Sequence, residues 1–284
     1  MNNFWTRTLT GALFVAVMVF CMWYSLLTMT GLFLAISLLG LWEFYTLSEA
    51  GSIRPQKLYG LALGTILYLS VASLEIYNST TVLGIDAVLV FAVLIFELFR
   101  KQGTPVANIA VTLFGIIYIV IPFAILICMA TSFYALEAFI STVFGSGAEP
   151  MLFKNLVLGF FFLIWSNDTF AYLVGRAIGK TKLWERISPK KTWEGFIGGL
   201  LLTQGAAYAL SVWFTELALV HWLAIGGIVS IFGTLGDLVE SMFKRSLGVK
   251  DSGSILPGHG GILDRFDGVL LSAPFVCVYL LFVR

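Results

Sequence analysis

Five carboxylates in the second half of this chain stand where ionisable groups are costly. Asp168 follows the apolar run LGFFFLIWSN, Asp237 and Glu240 follow SIFGTLG, and Asp264 and Asp267 open a further apolar run. Ionisable groups within such segments tend to face a protein interior or a wet cavity. Asp237, Glu240, Ser241 and Lys244 are spaced i, i+3, i+4 and i+7, so they share one helical face. Asp168, Tyr172 and Arg176 form a similar stripe, and Asp264 and Asp267 lie one turn apart. Carboxylates from three segments at one depth suit a divalent cation bound through oxygen. Mg²⁺ in particular is usually held by one or two carboxylates together with substrate phosphates. The bland alternative is that each carboxylate is neutralised by a neighbouring basic residue.

Two basic, irregular segments accompany them. Residues 176–192 carry six basic residues and one acidic residue. Such a run can be a topology signal or an attraction to anionic lipid heads. Ser188-Pro189 reads as an N-cap with proline at the first helical position. The expected helix then points its positive dipole end and free N–H groups at this face, flanked by Lys190 and Lys191, which makes a phosphate site. Residues 244–268 hold six glycines, a proline and several charges. Gly258, Gly260 and Gly261 around His259 are expected to let backbone approach a ligand closely. His259 itself is open between a proton carrier, a phosphate donor and a loop residue that satisfies backbone carbonyls.

The elements that position these groups follow from composition. The chain has 284 residues, is 59% hydrophobic and only 12% charged, with net charge +1, and its mean hydropathy is +0.94. A soluble domain of this size lacks the polar shell at that charge content, and no broad basic face exists for nucleic acid. An all-α, polytopic integral membrane protein is expected. Apolar runs near 8–27, 28–48, 58–77, 82–99, 107–129, 151–175, 193–214, 218–243 and 268–283 make nine candidate spans. The first is too long for a signal peptide and lacks a small-x-small cleavage site. With the N-terminus inside, 15 of the 17 basic residues fall in inner segments, Lys154 and Arg284 being the exceptions. That predicts an N-in, C-out topology with the charged loops cytoplasmic. Residues 1–150 then form an N-terminal set of about five spans for packing, dimerisation or lipid access. Residues 151–284 form the catalytic region.

Other features carry less. Cys21, Cys128 and Cys277 are isolated in apolar runs and read as small buried hydrophobes. Gly60-x-x-x-Gly64 and Gly195-x-x-x-Gly199 suit close helix packing within one chain, or between chains. Residues 130–150 have room for a short interfacial helix, and Asn78-Ser79-Thr80 is a sequon best read as chance. No internal repeat is present, which counts against a transporter built from inverted halves.

The stretch Ser241-x2-Lys244-Arg245-x4-Lys250-Asp251-x-Gly253-x2-Leu256-Pro257-x-His259-Gly260-Gly261-x2-Asp264-Arg265-x-Asp267 resembles the signature of the phosphatidate cytidylyltransferase family (CDP-diacylglycerol synthases). NDTFAYLVGRAIGKTKL and SPKKTWEG resemble that family's earlier motifs, so the motif-bearing part spans about 165–268. The resemblance implies an enzyme that takes CTP and phosphatidate to CDP-diacylglycerol and pyrophosphate at the cytoplasmic face. It also implies Mg²⁺, with room for a monovalent cation such as K⁺, a homodimer, and a setting among membrane lipids. A chain without a targeting extension further suggests a bacterial inner membrane.

Phosphatidate brings its own phosphate nucleophile, so no Ser, Cys or His nucleophile is required. The expected assignments put Asp237, Asp264 and Asp267 on the metal, with Asp168 or Asp267 as an auxiliary ligand or water-holder. Ser188, Lys190, Lys191 and Thr192 are expected on the CTP phosphates. Lys244, Arg245, Lys250 and Arg265 would orient the lipid phosphate or neutralise the transition state, with His259 beside them. A CTP-dependent lipid kinase or an anion transporter would use similar charges. The kinase needs a general base, and a transporter would set its charges near the midplane.

Overall fold

Seven of the described helices are long and apolar enough to cross a bilayer. The computed structural model describes residues 3–77, 83–131, 154–249, 251–253 and 260–283. The helices are α1 (Asn3–Tyr24), α2 (Leu26–Ala50), α3 (Lys57–Tyr77), α4 (Leu83–Phe99) and α5 (Pro105–Ala130), then α6 (Lys154–Ile178), α7 (Trp193–Trp213), α8 (Leu219–Ser246) and α9 (Leu263–Phe282). The seven are α2, α3 and α5 to α9, and α4 is apolar but shorter. The expected interfacial helix at 130–150 and the sequon at Asn78 lie outside the described residues. The chain divides into two units, Met1–Lys154 with Asp251–Leu263, and Asn155–Lys250 with Asp264–Arg284.

In the first unit, Ser25 breaks the opening apolar stretch. Its Oγ accepts from the Thr28 N–H at 3.1 Å while Thr28 Oγ1 accepts from the Ser25 N–H at 3.2 Å, a reciprocal cap that starts α2. Tyr45 is fully buried, and its hydroxyl donates to the Thr112 carbonyl at 2.6 Å. Gly60 and Gly115 leave room for its ring, since a Cβ at either would collide with it. Gly60 and Gly64 therefore serve packing inside the chain. In α5, Pro122 has no N–H to donate, and a π turn at Ile116–Val120 precedes it. Glu97 is buried and accepts from Gln56 Nε2, Asn108 Nδ2 and Arg100 Nη1 at 2.7, 2.8 and 2.8 Å, tying together α4, α5 and the start of α3.

The second unit adds a small hairpin to its helices. Strands β1 (Lys182–Trp184) and β2 (Ser188–Thr192) pair antiparallel, with Lys182 opposite Thr192 and Trp184 opposite Ser188. This corrects the expected helix start at Ser188-Pro189. Ser188 to Thr192 are strand, and the cap is Thr192, which is extended and whose Oγ1 accepts from the Gly195 N–H at 3.2 Å. Two signals competed locally, and pairing with 182–184 drew Ser188 and Pro189 into the strand. Glu194 locks the arrangement by accepting from the N–H groups of Lys180 and Thr181 and from Thr181 Oγ1. Among apolar helices in lipid there is little hydrophobic drive to associate, so close approach at small residues matters. Gly195 and Gly199 pack on Ala171 of α6, again within the chain. Phe232 stacks on Phe275 across α8 and α9.

Candidate active site

The crossing of α8 and α9 builds the site. A Cβ on Gly236 would collide with the Asp267 carbonyl oxygen, and it would come within 3.3 Å of Gly268 Cα. That glycine contact lets the two backbones touch, so the acidic face of α8 meets the second turn of α9. Carboxylate oxygens of Asp237, Glu240 and Asp267 consequently lie within 4.8 Å of one another.

Each carboxylate is held differently. Asp237 receives Ser241 Oγ at 3.2 Å and pairs with Lys191 at 2.7 Å. Lys191 also donates to the Thr234 carbonyl at 3.3 Å. Lys244 bridges Glu240 and Asp264, at 2.5 Å to each. Asp267 Oδ1 accepts from the Gly268 N–H at 2.6 Å. Asp168 has Lys191, Asp237 and Arg265 as charged neighbours, and Asp168 in turn faces Asp267. Among the described residues, five formal carboxylates thus meet three cations, a formal excess of two negative charges. Glu240 is 3% exposed, and its Oε1 has no hydrogen-bond partner among the described residues. A buried orphan oxygen within a trio of hard oxygen donors fits Mg²⁺.

Beside this cluster opens a cavity of about 410 Å³, lined by Asp168, Tyr172, Arg176, Ser188, Lys190, Lys191, Thr192 and Asp237 among others. The four residues expected on triphosphate therefore line the same cavity as two of the carboxylates. Lys191 reaches Asp237, whereas Lys190 is exposed. Arg245 and Arg265 are exposed, and Arg245 Nη1 donates to the Val249 carbonyl at 3.2 Å. Lys250, Gly258 and His259 lie outside the described residues.

Four residues differ from the sequence expectation. Glu240 completes the close trio, while Asp264 sits beside it on Lys244. The i, i+3 spacing from Asp237 already put Glu240 on the right face. Gly261, expected to admit a ligand, instead leaves room for the Glu43 carboxylate, which a Cβ there would strike. Glu43 carries no local signal in the sequence. It is one acidic residue in the apolar run LWEFYTL, and only the tertiary fold pairs it with Ser252 and Leu263.

Taken together, these features define a polytopic membrane protein with a carboxylate cluster facing a basic cavity. The pattern described as "Cytidylyltransferase family" matches residues 5–283, and the chain belongs to that family. A Staphylococcus haemolyticus protein named phosphatidate cytidylyltransferase is 38% identical over 234 residues, covering 79% of this chain and 89% of the relative. Proteins of that name from Staphylococcus aureus and Staphylococcus saprophyticus are 50% identical over 129 residues. In those two alignments the chain spans about half the relative's length, 49%.

Proposed function

We propose that this chain is a phosphatidate cytidylyltransferase, making CDP-diacylglycerol and pyrophosphate from CTP and phosphatidate for phospholipid synthesis. The observation that carries the reading is the trio Asp237, Glu240 and Asp267 beside a cavity walled by lysines and arginine, in a chain of the cytidylyltransferase family. A phosphatidate oxygen attacks the α-phosphorus of CTP. The bond from that phosphorus to the α,β-bridging oxygen breaks, and pyrophosphate leaves with the electron pair.

The barrier is charge and placement, since a lipid dianion must approach a triphosphate. Asp237, Glu240 and Asp267 would hold Mg²⁺, with Asp168 and Asp264 close by and a monovalent ion such as K⁺ as a further occupant. A bound Mg²⁺ supplies neutralisation of the triphosphate and of the departing pyrophosphate. Lys190, Lys191, Ser188 and Thr192 bind triphosphate oxygens, and Lys191 exchanges Asp237 for a phosphate when CTP arrives. Lys244 keeps Glu240 and Asp264 in place. Arg245, Lys250 and Arg265 orient the lipid phosphate, with His259 at the same face.

The reading extends to nine spans, N-in and C-out, with the site at the cytoplasmic side of a bacterial inner membrane. Residues 1–150 serve packing, dimerisation or lipid access, and 151–284 carry the chemistry, in a homodimer. Acyl chains stay in lipid, because extracting them costs about 0.8 kcal/mol per CH₂.

Purified protein with phosphatidate, Mg²⁺ and CTP labelled at the α- or γ-phosphate tests the activity. Organic extraction is expected to carry α-label into the lipid phase and leave γ-label in aqueous pyrophosphate. Absence of α-label in lipid sinks the proposal. Gamma-label entering a lipid alcohol would identify a kinase instead.

A further inference from the structure

Glu43 is a buried carboxylate, 3% exposed, in an otherwise apolar helix. Its Oε2 accepts from Ser252 Oγ at 3.1 Å and from the backbone N–H of Leu263 at 2.8 Å. A Cβ on Gly253 or on Gly261 would strike the same carboxylate, so backbone closes on it at both positions. Leu263 opens α9, and its N–H is one of the first-turn donors that helix geometry leaves without a partner. A carboxylate at that end is also favoured by the helix dipole. Asp264 is the next residue, and Asp267 follows one turn later.

We propose that Glu43 is a positioning residue for cytidylyl transfer, fixing the first turn of α9 through Leu263 and the preceding glycine-rich chain through Ser252. The inference rests on the activity proposed above and on the carboxylates assigned to it. Burying a carboxylate is costly unless it is well hydrogen-bonded, and apolar side chains often fill such sites with no loss of stability. What an apolar residue cannot do is hold two separate donors at fixed distance. Catalysis by placement is sensitive to shifts of about 1 Å, so the benefit falls on rate.

The test compares full-length wild type, Glu43→Gln, Ser252→Ala and the double variant in phosphatidate-containing micelles, with hydrogen exchange measured in parallel. Glu43→Gln keeps the volume and removes the charge. Its kcat is expected to fall about 10- to 100-fold, as for loss of a charge-assisted hydrogen bond, with the KM for CTP within about twofold. Exchange of peptides covering residues 260–267 is expected to rise while α3 and α5 stay protected. Ser252→Ala loses less, and the double variant loses less than the product of the two. Wild-type kcat in both single variants overturns the proposal alone. So does a loss in Glu43→Gln matched by raised exchange across α2, α3 and α5, with Ser252→Ala unaffected. A wild-type protein that transfers no α-label overturns the activity and this proposal with it.

Discussion

Among the described residues, Lys244 is the one ammonium paired with two carboxylates at the site, Glu240 on its own helix and Asp264 on α9. Its side chain is 10% exposed, so water screens the three groups poorly. Replacing it by Met keeps the volume and leaves both carboxylates facing each other and Asp267. Removing one partner of a buried ionic group costs about 3 kcal/mol. Lys244→Met is therefore expected to melt several degrees lower in divalent-free buffer, with the gap narrowing as Mg²⁺ is added, because a cation relieves the same repulsion. Thermal denaturation with and without Mg²⁺ checks this, and equal melting in divalent-free buffer would refute the neutralising role. The α8 stripe was legible because i, i+3, i+4 and i+7 spacing is a property of one helix. Which partner each carboxylate finds across segments was not, as with Lys191 on Asp237 and the Leu263 N–H on Glu43.

At the scale of elements, glycine placement decides where helices touch. A Cβ on Gly199 would come within 2.9 Å of Ala171 Cβ, with the Ala171 backbone at 3.2 Å, whereas one on Gly205 in the same helix meets nothing within 4 Å. The two substitutions to Ala should then have opposite signs. Gly205→Ala gains about 0.5–1 kcal/mol from helix propensity, and Gly199→Ala loses about 1–3 kcal/mol by forcing α7 off α6. Melting temperatures of the two variants in one detergent separate the effects, and equal shifts would mean the contact is soft. The Gly-x-x-x-Gly pairs were visible in the sequence, and their use within the chain is what their neighbours reveal. The start of α7 turns on pairing between segments. Ser188-Pro189 and Thr192-x-x-Gly195 are both sound helix openings, and the choice between them depends on strand pairing with Lys182 to Trp184.

For the whole molecule, the asymmetry of charge is the organising fact. Basic residues gather in 176–192 and 244–268, and the carboxylate trio lies at the α8 and α9 ends that adjoin those segments. Orientation follows Lys and Arg in short loops, so the same residues that define the site also set which side it faces. The proposed activity requires the same placement, because CTP is a cytoplasmic nucleotide and its four charges do not cross lipid unaided. Lys101, Lys182 and Thr215 are exposed at connections between helices, the first two on the side expected inside and the third on the side expected outside. Single cysteines at these positions, in a background with Cys21, Cys128 and Cys277 replaced, read the orientation directly. In intact cells a membrane-impermeant maleimide is expected to label Thr215→Cys and to spare Lys101→Cys and Lys182→Cys until the membrane is opened. Labelling of Lys182→Cys from outside would invert the assignment and put the basic cavity on the face without CTP. Agreement at Lys182 with protection at Thr215 would instead remove a crossing between α6 and α8, since those two sites are separated by α7 alone.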